Sequence, residues 1–231
     1  RSSPWGGTPL RWLSGALAIL SKDVRSEVRT RAALNAVVLF AVVTLTVVSY
    51  SLGGFRLAPE VHASLIWIIL FFAAMAGLSR TFVVEAERGT ELALRLTASG
   101  PQIYLGKLLF NLALLILLDV ILIPLFQVFL PVREADWGLL LTGLALGSLA
   151  LAASSTLVAA IVSQAGVKGA LFTVLSFPIL IPVLVAGVGL TRKAMSGQGF
   201  GEAGTEIQLL VSYAGVMITL AFLLIDFVWR D

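Results

Sequence analysis

Acids and bases crowd into one short stretch of an otherwise apolar chain, where residues 85 to 107 read EAERGTELALRLTASGPQIYLGK. Side chains of mixed sign at that density suit noncovalent docking through ion pairs and charge-assisted hydrogen bonds. Val83, Val84, Leu92, Leu94 and Leu96 form an apolar stripe interrupted at Gly89, while Glu85, Glu87, Arg88, Glu91 and Arg95 point outward. Gly89 followed by Thr90 reads as a helix break and a new cap, because Gly relieves the backbone and a Thr oxygen accepts from the next turn's amides. Ser99, Gly100 and Pro101 end the segment, and Lys107 marks the return to an apolar run. A short charged helix bent at its middle fits a socket on a partner protein. The alternative is a solvated loop that only sets topology.

Other chemistry-bearing groups are sparse. Asp119 is the deepest charge in the apolar runs, with no intramembrane Lys or Arg as a partner. An ionisable group in hydrocarbon is costly, so it either lines a polar path or serves as hydrogen-bonded packing between helices. Asp226 lies four residues before Arg230, which suits a local pair near a helix end. His62 is the one histidine, placed at the mouth of an apolar run, where an interfacial polar role outweighs axial ligation of iron. The absence of cysteine removes disulfides, thiolate metal sites and a Cys nucleophile. No G-x-x-x-x-G-K-[ST] phosphate loop occurs, and the Gly-rich GQGFGEAG, residues 197 to 204, follows no strand and reads as a loop.

The elements that must position these groups follow from composition. Of 231 residues, 58% are hydrophobic and 13% charged, with a mean hydropathy of +1.00, which defines an integral membrane protein. Six apolar runs reach the roughly 20 residues a helical crossing needs: 33 to 52, 61 to 79, 108 to 130, 138 to 163, 169 to 190 and 207 to 229. Continuous apolarity without period-two alternation predicts helices and not a barrel. Arg56, Arg133, Arg192 and Lys193 fall on one side of this topology, and the other twelve of the sixteen basic residues on the opposite side. Basic residues gather on the cytoplasmic side, so both termini are expected there. The net charge of +3 then reflects topology, and no soluble domain is left to bind nucleic acid.

Residues 1 to 12 read as a flexible tail. The first apolar run is long enough to span, unlike a cleaved signal. Over residues 13 to 31, Leu13, Leu17, Leu20, Val24 and Val28 continue a helical stripe begun at Leu10, with Lys22, Asp23, Arg25, Glu27, Arg29 and Arg31 opposite. Such a helix lies in the membrane interface with its basic groups near anionic headgroups; a plain cytoplasmic helix on a soluble partner is the other reading. Pro178 and Pro182 share one face of the fifth run and each removes an amide, giving a kink that is either a hinge or a fixed bend. Pro124 and Pro131 let the third run bend and stop, and the small residues of ALGSLALAASS, 145 to 155, permit close helix approach.

Glu87, Arg88, Gly89, Thr90, Glu91 and Leu92, followed by Gly106, Lys107 and Leu108, resemble the E-R/E-x-G-T-x-E…GK-L pattern of type 2 ABC-transporter permeases. In that family this stretch after the second span is the cytoplasmic coupling helix. Together with LSKDVRSEVRTR at 20 to 31 and FPILIPVLVAG at 177 to 187, it resembles the CcmB family, the haem exporter permeases of cytochrome c maturation. The likeness runs from about Leu13 to the end.

The resemblance implies an all-helical permease domain over 13 to 231, with six spans, an interfacial entry helix and a coupling segment at 80 to 107. Glu85, Glu87, Arg88, Gly89, Thr90, Glu91 and Leu92 are then the contact with a separate ATP-binding cassette ATPase. The chain is expected to be no enzyme and to bind no cofactor itself: ATP sits on the partner ATPase, and haem is handled by a haem-binding membrane subunit and a haem chaperone. A second permease copy and a bacterial inner-membrane location complete the expectation. Rival functions are a general type 2 exporter of lipid, polysaccharide or drug, disfavoured by outer loops too short for a large recognition domain, and a non-transporting assembly scaffold. An intramembrane hydrolase would need a Ser with a His, or two acids, at one depth. His62 lies too near the edge, and Asp119 and Asp226 fall on opposite halves of the bilayer.

Overall fold

The computed structural model describes residues 9–53, 57–75, 98–132, 134–163 and 168–228. They form seven helices: α1 Pro9–Thr30, α2 Ala32–Leu52, α3 Pro59–Ala73, α4 Gly100–Phe129, α5 Trp137–Ser163, α6 Lys168–Met195 and α7 Gly204–Val228. Five of them, α2 and α4 to α7, are long and apolar enough to cross a membrane, which makes this a multi-pass membrane protein. The predicted second crossing, 61 to 79, is described as far as Met75. Its helix α3 has 15 residues, fewer than the roughly 20 of a full span, and Ala74 and Met75 continue it in a wider π-type turn.

Helix α5 is the hub. Every residue from Ala150 to Ala160 is buried, because the small side chains of this stretch let α4, α6 and α7 approach its backbone. On its partner α6, Leu180, Val183, Gly187, Leu190 and Ala194 are buried at alternating steps of three and four, a single helical seam. Trp67 of α3 closes the layer. Its indole N–H donates to Thr191 Oγ1 at 2.9 Å, and its ring fills notches left by two glycines. A Cβ at residue 147 would collide with Trp67 Cη2, and one at residue 187 with Cζ2.

The far end of α4 is capped by its neighbours. The last carbonyls of a helix lack intrahelical partners; here Ser49 Oγ of α2 donates to Phe129 O at 3.1 Å, and His62 Nε2 of α3 contacts Leu130 O at 3.1 Å. Helix α4 runs through Pro124 and stops two residues before Pro131, as the restriction on a residue preceding proline requires. Asp136 starts α5 by accepting from the Leu139 amide at 2.9 Å. Lys193 joins α6 to α7 through Glu206 at 2.7 Å.

The tight fit of Trp67 yields the first prediction. Gly147→Ala overpacks the notch and lowers stability by about 1–3 kcal/mol. Thermal unfolding of the detergent-purified protein reads the loss, and Gly215→Ala, whose Cβ meets nothing within 4 Å, shows none.

Candidate functional site

Glu85, Glu87, Arg88, Gly89, Thr90, Glu91 and Leu92 lie outside the described residues. Their frame is described on both sides: the end of α3 at Met75, and Ala98 leading into α4. Helix α4 begins at Gly100, eight residues before the apolar run that starts at Leu108. Capping sets this start, not hydrophobicity: Ser99 and Gln102 form a capping box with Pro101 in the first turn, and the Ser99 amide donates to Gln102 Oε1 at 2.9 Å. Ser99, Gly100 and Pro101 therefore open a helix, where the sequence pattern predicts the end of a segment.

The first turns of α4 carry α1 along their side. A Cβ at residue 106 would meet Ala16 O and Ile19 Cβ, each at 2.8 Å, so the two backbones meet closely at a residue without a side chain. Next to it, Lys107 Nζ pairs with Asp23 Oδ2 at 2.9 Å, the lysine side chain being 1% exposed and the aspartate 10%. This corrects one expectation: Asp23 does not belong to the outward polar side of α1, and it meets Lys107 beneath that helix. The cause is helical geometry: at about 100° per residue, Ala16, Ile19 and Asp23 share a sector of their own, and all three are buried. Roughly a third of a turn away, Leu13, Leu17, Val24 and Val28 are exposed, while Lys22, Arg25 and Arg29 are exposed on the third side. Three sectors, apolar, basic and protein-facing, match a helix lying at a membrane surface against a transmembrane neighbour.

A sharp corner joins this helix to the first span. Arg31 adopts the left-handed conformation at φ 50°, and Gly53 ends α2 in the same region. The Glu27 carboxylate accepts from the Leu34 amide at 3.2 Å, satisfying one of the donors at the start of α2.

Deeper in the bundle, α4 and α5 share a polar seam. Asn111 Nδ2 donates to Thr156 Oγ1 at 2.7 Å, Ser148 Oγ donates to Asp119 Oδ2 at 2.7 Å, and the Tyr104 hydroxyl reaches Ala153 O at 3.3 Å. Tyr104, Asn111 and Asp119 recur at steps of seven and eight, one face of a helix; that spacing is the signal for a seam, and Asp119 taken alone does not carry it. Both ring nitrogens of His62 contact backbone carbonyls, Leu130 O at 3.1 Å and Ala58 O at 3.4 Å. Its ring thus ties helix ends together. No cluster of three His, Asp or Glu suited to a metal occurs among the described residues. Helix α6 remains one helix through Pro178 and Pro182, with Pro178 exposed and Pro182 half-buried. The Asp226 side chain and Arg230 fall outside the described residues.

A protein-family model described as CcmB protein matches residues 14–226. Heme exporter protein B of Rhodobacter capsulatus is 29% identical over 183 residues, which cover 78% of this chain and 84% of that protein. No solved structure matches.

Two predictions follow the buried pairs. Asp23→Ala leaves the Lys107 ammonium buried without its carboxylate and costs about 3–5 kcal/mol, whereas Asp23→Leu combined with Lys107→Met costs far less; denaturation of the purified membrane protein ranks the two. At the α4–α5 seam, Asp119→Asn keeps an acceptor for Ser148 and changes stability by less than about 1 kcal/mol. Transport at the parental level in that variant identifies Asp119 as packing, and loss of transport in a folded variant assigns it to a polar path.

Proposed function

The chain belongs to the CcmB family, and on that premise we propose that it is the membrane permease of an ATP-driven complex serving cytochrome c maturation. The observation that carries this reading is the family match over residues 14–226, which takes in the interfacial helix, the charged connector and all the long apolar helices. The relative's name, heme exporter protein B, supports haem as the exported or released species. A separate ATP-binding cassette ATPase supplies the energy and holds the ATP. A haem-binding membrane subunit and a haem chaperone handle the haem, and a second permease copy completes the pore-forming pair. The home is a bacterial inner membrane with both termini in the cytoplasm, an orientation supported by the twelve basic residues on that side.

The mechanism rests on how the connector is framed. Glu85, Glu87, Arg88, Gly89, Thr90, Glu91 and Leu92 dock in the ATPase, and closure of the ATPase dimer on ATP displaces them. Helix α4, capped at its first turn and held to α1 by the Asp23–Lys107 pair, is the mount against which that displacement acts. Packed helices move as units because cores are bistable and not continuously deformable, so a push entering through α3 is carried by the bundle to its far face. Coupling of this kind drives haem export or release of the haem-loaded chaperone.

Reversing Glu87 and Glu91 to Lys replaces two acids by two bases on the docking face and strongly reduces co-purification of the ATPase, while the permease itself still folds. Unchanged assembly and unchanged ATP hydrolysis would refute the docking role. The proteins recovered with the parental chain test the cargo: an ATPase together with a haem-binding membrane subunit supports haem handling, and an ATPase alone supports general export of lipid, polysaccharide or drug. ATP hydrolysis indifferent to haem in the complete complex points to an assembly scaffold.

A further inference from the structure

Helix α6 carries two prolines one turn apart, and the groups packed around them come from both sides of the bundle. Pro178 has no N–H for the carbonyl of Val174, and Pro182 has none for the carbonyl of Pro178, so the hydrogen-bond ladder of this turn is thinned twice on one face. The Tyr213 hydroxyl of α7 donates to the carbonyl of Ile179, between the two prolines and next to the freed carbonyl of Pro178. A single phenol on α7 thus grips α6 between its two prolines.

The opposite side of that turn is reached from the end of α3. Phe177, immediately before Pro178 and 56% exposed, meets Phe71 edge-on with ring centroids 6.0 Å apart at 85°. Phe71 is followed by Phe72, which meets Phe40 of α2 at 5.5 Å. Both Phe71 and Phe72 lie in the last turn of α3, just before the π-type turn at Ala74 and Met75, after which the chain runs on to the connector. Wider turns of this sort recur at functional sites and where a helix changes register. Bends at proline are the usual places where a helix flexes.

We propose that Phe177 and Tyr213 are positioning residues for the transport cycle: Phe177 passes a shift at the end of α3 to the proline turn of α6, and the Tyr213 hydroxyl clasps that turn in its resting bend. The proposal rests on the reading that the connector receives the ATPase. A push on the connector tilts the end of α3, the edge contact drives Phe177, and the clasp either holds or releases Ile179. Removing the clasp loosens the bend at rest; removing the ring at 177 leaves the resting bend and disconnects it from ATP.

The chain has no cysteine, so spin labels can be placed without background. Val174 is 69% exposed and Arg192 is exposed; V174C and R192C bracket both prolines at about 27 Å along a straight helix. Pulsed electron–electron distance measurements on the complex purified with its ATPase, at rest and trapped with ADP and vanadate, read the bend directly. The expected result for the parental sequence is one resting distance that shifts on trapping. Tyr213→Phe broadens the resting distribution toward the trapped one, and Phe177→Ala keeps the resting distance, loses the shift and still hydrolyses ATP. A distance that ignores trapping in the parental complex, or variants that behave as the parent, overturns the proposal. Failure of the underlying reading looks different: no ATPase is recovered with the permease. The resting broadening in Tyr213→Phe is then still measured in the permease alone, where its absence also overturns the clasp.

Discussion

The Lys107 ammonium, buried beneath α1, is met there by the Asp23 carboxylate. Lys107 is 1% exposed and stands 2.9 Å from Asp23, and stranding either charge in that place costs several kcal/mol. The pair therefore fixes more than two residues. It sets the register of α1 on α4 and leaves the apolar and basic faces of α1 exposed on separate sides. Gly106 makes the pair possible, since any side chain there would hold the helices apart before the charges met.

Inside the bundle the governing constraint changes. Lipid tails are as apolar as leucine, so no hydrophobic gain draws the helices together, and close packing and interhelical hydrogen bonds must do it. The small residues of α5 and α6 meet the first need: Trp67 seats against Gly147 and Gly187 because those positions carry no Cβ. Asn111–Thr156 and Ser148–Asp119 meet the second. Helices α4 and α5 consequently form a stiff block, joined by both polar pairs.

How much of this is readable in the chain depends on whether the signal is local. The long apolar helices, the stop of α4 before Pro131 and the close-packing role of residues 145 to 155 follow from length, proline chemistry and residue size, and each can be read from one segment. The start of α4 is hidden because the capping box Ser99–Gln102 is a fainter signal than the apolar run that begins at Leu108. The polarity of Asp23 points it outward in a sequence pattern, and only the partner α4 reveals that its sector is the protein-facing one. Tyr213 offers no signal at all: its role exists because Ile179, 34 residues away in sequence, lies in a turn thinned by prolines. The charged connector is proposed as a docking segment from its residue types and its likeness to a family pattern, and it lies outside the described residues.

The two ends of that connector are anchored unequally, and the inequality gives a direction to any force applied between them. On the α4 side a capping box fixes the first turn, and a glycine contact and a buried ion pair bind the helix to α1. Moving that side means moving α1 through the interface as well. On the α3 side the helix loosens into a π-type turn at Ala74 and Met75, and its last rings, Phe71 and Phe72, make edge and tilted contacts that can slide at little cost compared with separating charges. A displacement shared between a stiff mount and a compliant one goes mostly into the compliant one. Under the proposed docking role, motion enters the bundle along α3 and arrives at the proline turn of α6, while α1 and α4 act as the fixed mount against which it is measured.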